Sequence, residues 1–289
     1  MTGDDMTNAW LADAWARHPD EFRTDVEDAG IACRGWNLAA TDLPGIVLVH
    51  GFRAHARWWD HVAPALAETH RVVALDLSGM GDSDRRASYS RAQHGREALG
   101  AARAAGIERP IVIAHSYGAI ASLLLCAQSP NAVRRIIVLD GALPIPGDEG
   151  HMIPTPPERR YPDRESAIAR FRLSPPGAWP NPDILRYVAE HSVMQRNDGQ
   201  WGWKFDNDAA LSLNRDVWRD TLRNLPTPAD VVYGDRSEIF TPERRAMVPL
   251  ILPRCGRLIA LPTAHHYLMI EQPLALVAAL RALVANDKS

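Results

Sequence analysis

A chain of 289 residues, 46% of them hydrophobic, can bury a large core and does not have the composition of a disordered segment. Its formal net charge of -3, with arginines scattered among acids, leaves no basic stripe, so a nucleic-acid partner is excluded. Only Lys204 and Lys288 are lysines, which sets aside Schiff-base and serine–lysine chemistry.

The chain begins with Asp4 and Asp5 and then a Trp-containing amphipathic segment. No basic stretch leads into an apolar one and no run has bilayer length, so the expectation is a cytoplasmic protein with no membrane partner. Cys33, Cys126 and Cys255 are odd in number, far apart and without C-x-x-C spacing, which reads as reduced thiols buried as small apolar residues. Residues 22–28 and 31–38, around Ala29-Gly30, predict a leading hairpin at one edge of a sheet. Near-continuous apolar runs follow at 46–50, 72–77, 111–114, 136–140, 231–233 and 258–261, as expected of strands covered on both faces. Helix-length segments lie between most of them, at 58–68, 90–105, 119–128, 242–252 and 273–284. This alternation predicts an α/β protein with a mostly parallel central sheet flanked by helices.

The interval 141–224 breaks the rhythm. It holds ten of the 22 prolines and four of the nine tryptophans without a clear buried strand. A structureless loop of that size is improbable in a compact domain, so an inserted helical cap is expected over 141–224, with helices near 163–173, 183–191 and 209–223. The core domain is then residues 1–140 with 225–289. Nothing in the pattern sets an oligomeric state.

Within this frame the run from Ile111 to Ala119 has the form of a nucleophile elbow, because a short apolar strand breaks into Ser116 and then into a helix. Ala114 and Gly118 are small, as the fold-back of helix on strand demands. The alternative is a plain helix N-cap. The same turn aims the Tyr117 N–H at whatever the serine attacks, and after the first buried strand His50-Gly51-Phe52 offers the Phe52 N–H as a second oxyanion donor. His50 reads as structural, and His55 and His61 as surface residues. Their spacing with His50 matches no metal signature, so no metal and no cofactor are expected. Of Trp58 and Trp59, one is expected in the core and the other at the pocket. Trp201 and Trp203 read either as cap core or as an apolar roof over a small-molecule substrate. The arginines at 159, 160, 164, 170 and 172 leave a carboxylate-bearing substrate open.

Taken jointly, the His50-Gly51-Phe52 loop, the Asp76-Leu77-Ser78-Gly79-Met80-Gly81-Asp82-Ser83 turn, the Ser116 elbow, the mid-chain insertion and a late His265-His266 before Glu271-Gln272-Pro273 resemble the α/β-hydrolase superfamily. The resemblance implies a serine–acid–histidine hydrolase in which Ser116 attacks a carbonyl and His266, rather than His265, is the base. It also exposes a departure: the usual acid position, in Gly234-Asp235-Arg236-Ser237-Glu238, carries Ser237. The acid is therefore expected at Asp140, a site used in some dehalogenases of the superfamily, with Glu238 and then Asp235 as alternatives. The expected activity is cleavage of a small or medium apolar ester through an acyl-enzyme. Carbon–carbon bond hydrolysis of a vinylogous diketone and non-catalytic ligand binding are the alternatives.

Overall fold

The computed structural model describes residues 3–145, 157–176, 181–214 and 221–285. After helix α1 (Gly3–Ala16), strands β1 (Asp20–Val26) and β2 (Ala29–Trp36) form the expected antiparallel hairpin. Next come β3 (Gly45–Val49), a 3-10 turn (Ala56–Trp59), α2 (Ala63–Leu66), β4 (Arg71–Leu75), α3 (Arg91–Ala104), β5 (Ile111–His115), α4 (Tyr117–Gln128) and β6 (Arg135–Leu139). An insertion then carries α5 (Arg164–Ile168), α6 (Pro182–His191), β7 (Val193–Gln195), β8 (Trp201–Trp203) and α7 (Asn207–Asn214). The core resumes with β9 (Ala229–Gly234), α8 (Pro242–Ala246), α9 (Val248–Ile251), β10 (Cys255–Leu261), α10 (Leu268–Glu271) and α11 (Pro273–Val284).

Eight strands form one sheet in the order β1-β2-β4-β3-β5-β6-β9-β10, parallel from β4 through β10, with β2 antiparallel to both of its neighbours. Successive side chains on a strand alternate faces. Val47, Val49, Val112, Ala114 and Val138 pack on one side with residues of α3 and α4; Ile46, Leu48, Ile111, Ile113 and Ile137 pack on the other with Leu66, Leu276 and Leu280. Both faces are dry, so these runs read as continuous rather than alternating.

Two helices predicted as single pieces are broken. Residues 58–68 divide into the 3-10 turn and α2, and 242–252 into α8 and α9. Each break adjoins a proline, Pro64 or Pro249, whose missing N–H cannot continue the helical ladder.

The insertion differs from an all-helical expectation, because β7 and β8 pair as a short hairpin. Strands of three residues are too short to show an alternating pattern. Of the predicted helices, α6 matches 183–191, α5 is shorter than 163–173, and α7 starts at Asn207, while residues 215–220 of the third prediction lie outside the described residues. Side chains fasten this segment to the core: the Tyr187 hydroxyl donates to Asp60 Oδ2 (2.5 Å), the Tyr89 hydroxyl to Asp206 Oδ2 (2.7 Å), and Arg91 to the Leu213 carbonyl (2.8 Å). Arg34, in turn, donates from two nitrogens to the buried Asp60 carboxylate, each at 2.9 Å. Among the described residues no helix is long and apolar enough to cross a membrane.

Candidate active site

β5 ends at His115, and the chain turns at once into α4 through Ser116, whose φ of 51° and ψ of -116° are unfavourable for any residue with a side chain. Two neighbours make the turn feasible. A Cβ on Gly118 would run into the His50 carbonyl oxygen and lie 2.9 Å from Val49 Cγ1, so only glycine lets α4 fold this close to β3. The Ser116 N–H donates to the Leu139 carbonyl at 2.9 Å, tying the elbow to the end of β6.

The residue after Leu139 is Asp140, also at positive φ (48°), and fully buried. Its Oδ1 accepts the Gly234 N–H (3.1 Å), and its Oδ2 accepts the Ser237 hydroxyl (2.6 Å) and faces His266 Nδ1 (2.6 Å). The other ring nitrogen, Nε2, lies 2.9 Å from Ser116 Oγ. With Nδ1–H donating to Asp140, Nε2 is left to accept the serine proton, the tautomer that a general base needs. Three residues separated by 24 and 126 positions thus meet at the carboxyl-end rim of one parallel sheet, where open α/β sheets hold their ligands.

The alternatives for the acid fall elsewhere. Glu238 and Asp235 are both exposed, and Asp235 uses its N–H on the Leu261 carbonyl. Ser237, at the usual acid position, instead donates to the Asp140 carboxylate while its oxygen accepts the N–H groups of Ile239 (3.1 Å) and Phe240 (3.0 Å). It braces a carboxylate that comes from the neighbouring strand. Ser237→Ala is expected to lower kcat about tenfold with little change in KM, because it removes one charge-assisted hydrogen bond without touching substrate. Steady-state kinetics with a chromogenic ester checks this.

His265 is half-buried, and its backbone N–H donates to the Glu271 carboxylate. The loop bearing His266 is therefore clamped by the last residue of α10. The geometry brings His266, and not His265, to Ser116. Gly234 is a second close approach: a side chain there would strike the His265 carbonyl.

Sequence reasoning passed over His115. Its ring lies 4.7 Å from that of His266, and its Nε2 donates to the His266 carbonyl at 2.9 Å, so it props that ring from behind. Its signal was the histidine immediately before Ser116 in the elbow. Burial, with a smaller contribution from the neighbouring His266, pushes its pKa well down and keeps it neutral.

His50 is structural, as read. Nδ1 donates to the Gly51 carbonyl (2.7 Å) and Nε2 accepts the Leu77 N–H (3.0 Å), while burial pushes its pKa down to about 4. His55 and His61 are not surface residues. His55 is buried with Nε2 against Ser192 Oγ (3.0 Å), and fully buried His61 donates to the Met269 carbonyl (2.6 Å). The periodicity that places their neighbours Trp58 and Trp59 inside also carries these rings inward, where backbone and hydroxyl partners compensate their polarity. Among the described residues no group of three or more histidine, cysteine or carboxylate ligands is placed to hold a metal ion.

Burial also holds the pKa of His61 down, at about 4 against the ordinary 6.5, so the fold keeps it neutral while the unfolded chain takes up a proton below 6.5. Its contribution is complete above pH 6.5 and is lost as pH falls toward 4. His61→Gln, which keeps a donor for Met269, is expected to reduce the stability lost between about pH 7.5 and about pH 5 by about 2 kcal/mol, read from urea unfolding at both pH values.

Ser116 opens into a cavity of about 450 Å³. Phe52, Trp58, His115, Phe171, Trp203 and Tyr267 contribute to its wall. Trp58 lies 5.7 Å from Tyr267 ring to ring, and its neighbour Trp59 is fully buried in the core. Trp201 is the exception among the three expected pocket tryptophans: it is not at the wall, but packs beside Ala167, Ile168 and Ala189 and exchanges two backbone hydrogen bonds of 2.9 Å with Tyr161. Strand alternation sends Trp201 and Trp203 to the same face of the short β8, and their distance from the turn separates their surroundings. In the loop after β3, a Cβ on Gly51 would lie 2.9 Å from His115 Nδ1, so Phe52 follows a chain pressed against the elbow. Tyr117 is the first residue of α4 and buries its ring, with its hydroxyl 2.5 Å from His94 Nδ1, which leaves its backbone at the elbow.

A parallel sheet whose strand ends gather a serine on a sharp strand-to-helix turn, an imidazole and a carboxylate is the architecture of the α/β hydrolases. The chain belongs to that family: the alpha/beta hydrolase family pattern matches residues 46–280. It is similar to an esterase of Mycobacterium tuberculosis, 24% identical over 271 residues covering 90% of this chain and 88% of the relative. A crystal structure of a novel esterase from Mycobacterium tuberculosis superposes with a TM-score of 0.73 at 20% identity, covering 99% of both chains. E-2-(acetamidomethylene)succinate hydrolase superposes with a TM-score of 0.77 at 19% identity, covering 93% of this chain and 100% of the other. At such identities the structural likenesses speak to the fold alone.

Proposed function

We propose that the protein is a cofactor-free serine hydrolase that cleaves a small or medium ester with an apolar body through an acyl-enzyme. The observation that carries this is the unbroken chain from Ser116 Oγ through both nitrogens of His266 to Asp140, at 2.9 Å and 2.6 Å. Ser116 Oγ attacks the ester carbonyl as its proton passes to His266 Nε2, and the imidazolium is stabilised by the buried Asp140 carboxylate. The N–H groups of Phe52 and Tyr117 take the developing oxyanion, a role that the early glycine and the helix start support. Collapse expels the alcohol, protonated by His266. Water then gives its proton to the same nitrogen and releases the acid.

The esterase name of the mycobacterial relative favours ester chemistry over carbon–carbon cleavage. A purely ligand-binding role drew on Ser237 at the usual acid position. With Asp140 within hydrogen-bond reach of His266, that support is gone. The test is a fluorophosphonate probe together with a panel of p-nitrophenyl esters of graded acyl length and one vinylogous diketone. Labelling confined to Ser116 with turnover of short or medium esters is expected; a folded protein that takes no label, or one that turns over only the diketone, would overturn the ester reading.

A further inference from the structure

The cavity at Ser116 has an open side and a closed one. Pro157, Arg159, Arg170 and Arg172 line it and are exposed, which puts them at its mouth, whereas Ala54, His55, Trp58 and Ser192 line it and are buried. A row of rings in the wall leads from the base into this buried part: His266 to Tyr267 at 4.9 Å, Tyr267 to Trp58 at 5.7 Å, and Trp58 to His55 at 6.4 Å. The row ends at His55. Behind that ring lies a second hollow of about 320 Å³, lined by Phe22, Cys33, Asp76 and His191 among others and reaching solvent at the exposed Glu21 and Asp82. Among the described residues His55 alone lines both spaces.

This partition is held in place from two sides. The Ser192 hydroxyl donates to the Val188 carbonyl (2.8 Å), so its oxygen is left to accept His55 Nε2–H (3.0 Å), and Trp58 meets the ring edge-on at 83°. Ser192 closes α6 in the insertion and His55 leads into the 3-10 turn of the core, so both parts of the chain build the wall. Burial pushes the His55 pKa well down, and the neutral ring can face an apolar chain. A ring packed and hydrogen-bonded in this way does not yield to an extra methylene without strain.

The two arms of an ester leave Ser116 at different moments. The alcohol departs first and needs the open side, while the acyl group stays bonded to Ser116 until water releases it and takes the closed side. Resting on the hydrolase reading above, we infer that His55 is the end-stop of the acyl pocket, a specificity-determining residue that sets the longest straight acyl group the cavity accepts. Chains that stop short of it bury each added methylene against the aromatic wall. Chains that reach it collide with a fixed ring.

Turnover and binding test this separately. Across p-nitrophenyl esters of graded straight acyl chains, wild-type kcat/KM is expected to rise about three- to fourfold per carbon and then to fall about tenfold or more over the next one or two carbons. In His55→Ala the two spaces join, the fall disappears, and the ratio of long-chain to short-chain kcat/KM rises about tenfold or more; His55→Trp moves the limit to shorter chains. Should His55→Ala not fold, His55→Ser, which keeps a hydroxyl in reach of the Ser192 cluster, takes its place. Calorimetric titration of Ser116→Ala protein with straight-chain methyl ketones reads the stop without chemistry: affinity is expected to climb with length, break off at one length, and lose that break when His55→Ala is added. A length limit that His55→Ala does not move, or no limit in the wild type, would overturn the inference. A ketone limit that moves with His55 in a protein that cleaves none of the esters would leave the end-stop standing and remove the hydrolase reading. Esters cleaved through Ser116 with a limit indifferent to His55 would do the reverse.

Discussion

Ser116→Ala is expected to lower kcat by about 10⁶ while leaving the fold intact, the loss seen when the nucleophile is removed from a serine–histidine–acid unit. The magnitude follows from what the residue holds. Its oxygen lies 2.9 Å from His266 Nε2, and among the described residues no other side-chain oxygen or sulfur is hydrogen-bonded to that nitrogen. Removing Oγ also costs little structurally, since the elbow is fixed by the Ser116 backbone N–H on Leu139 and by the close approach of Gly118, both of which alanine preserves. Burst kinetics with a p-nitrophenyl ester, paired with circular dichroism, checks it. A folded variant that keeps more than about a hundredth of the wild-type rate would mean that the acyl-enzyme does not form on this oxygen.

Much of this site was legible in the chain because its parts are local. An elbow needs small residues two before and two after the serine, and Ala114 and Gly118 meet that requirement within five positions. Gly51 before Phe52 is legible for the same reason, as are the buried strands, whose two dry faces leave continuous apolar runs. What the chain could not show is which parts meet. Asp140, Glu238 and Asp235 each follow a strand, and only the pairing of β6 with β9 brings Ser237 onto the Asp140 carboxylate while Glu238 points to solvent.

Two placements that the chain does not show have a similar origin. His55 and His61 look polar enough for the surface, yet each finds a buried partner from a distant segment, Ser192 and Met269. Trp201 and Trp203 stand two positions apart and read together, either as cap core or as an aromatic roof, but only Trp203 reaches the cavity.

Asp140→Asn is expected to cost about 10⁴ in kcat, whereas Glu238→Gln and Asp235→Asn stay within about twofold of wild type. An amide at position 140 has two orientations, and both fail. With its NH2 toward His266, two donors face each other unless the ring gives up its Nδ1 proton, and the imidazole then carries hydrogen on Nε2, facing Ser116 Oγ with nothing to accept. With its oxygen toward His266, the NH2 meets the Gly234 N–H, which now donates to Oδ1 at 3.1 Å, and a buried donor is left unpaired. Neither orientation supplies the negative charge that stabilises an imidazolium. Glu238 and Asp235, both exposed, have no such consequence. Measured on one p-nitrophenyl ester at a single pH, full activity in Asp140→Asn, or a thousandfold loss in Glu238→Gln, would move the acid off β6 and with it the role drawn here for Ser237.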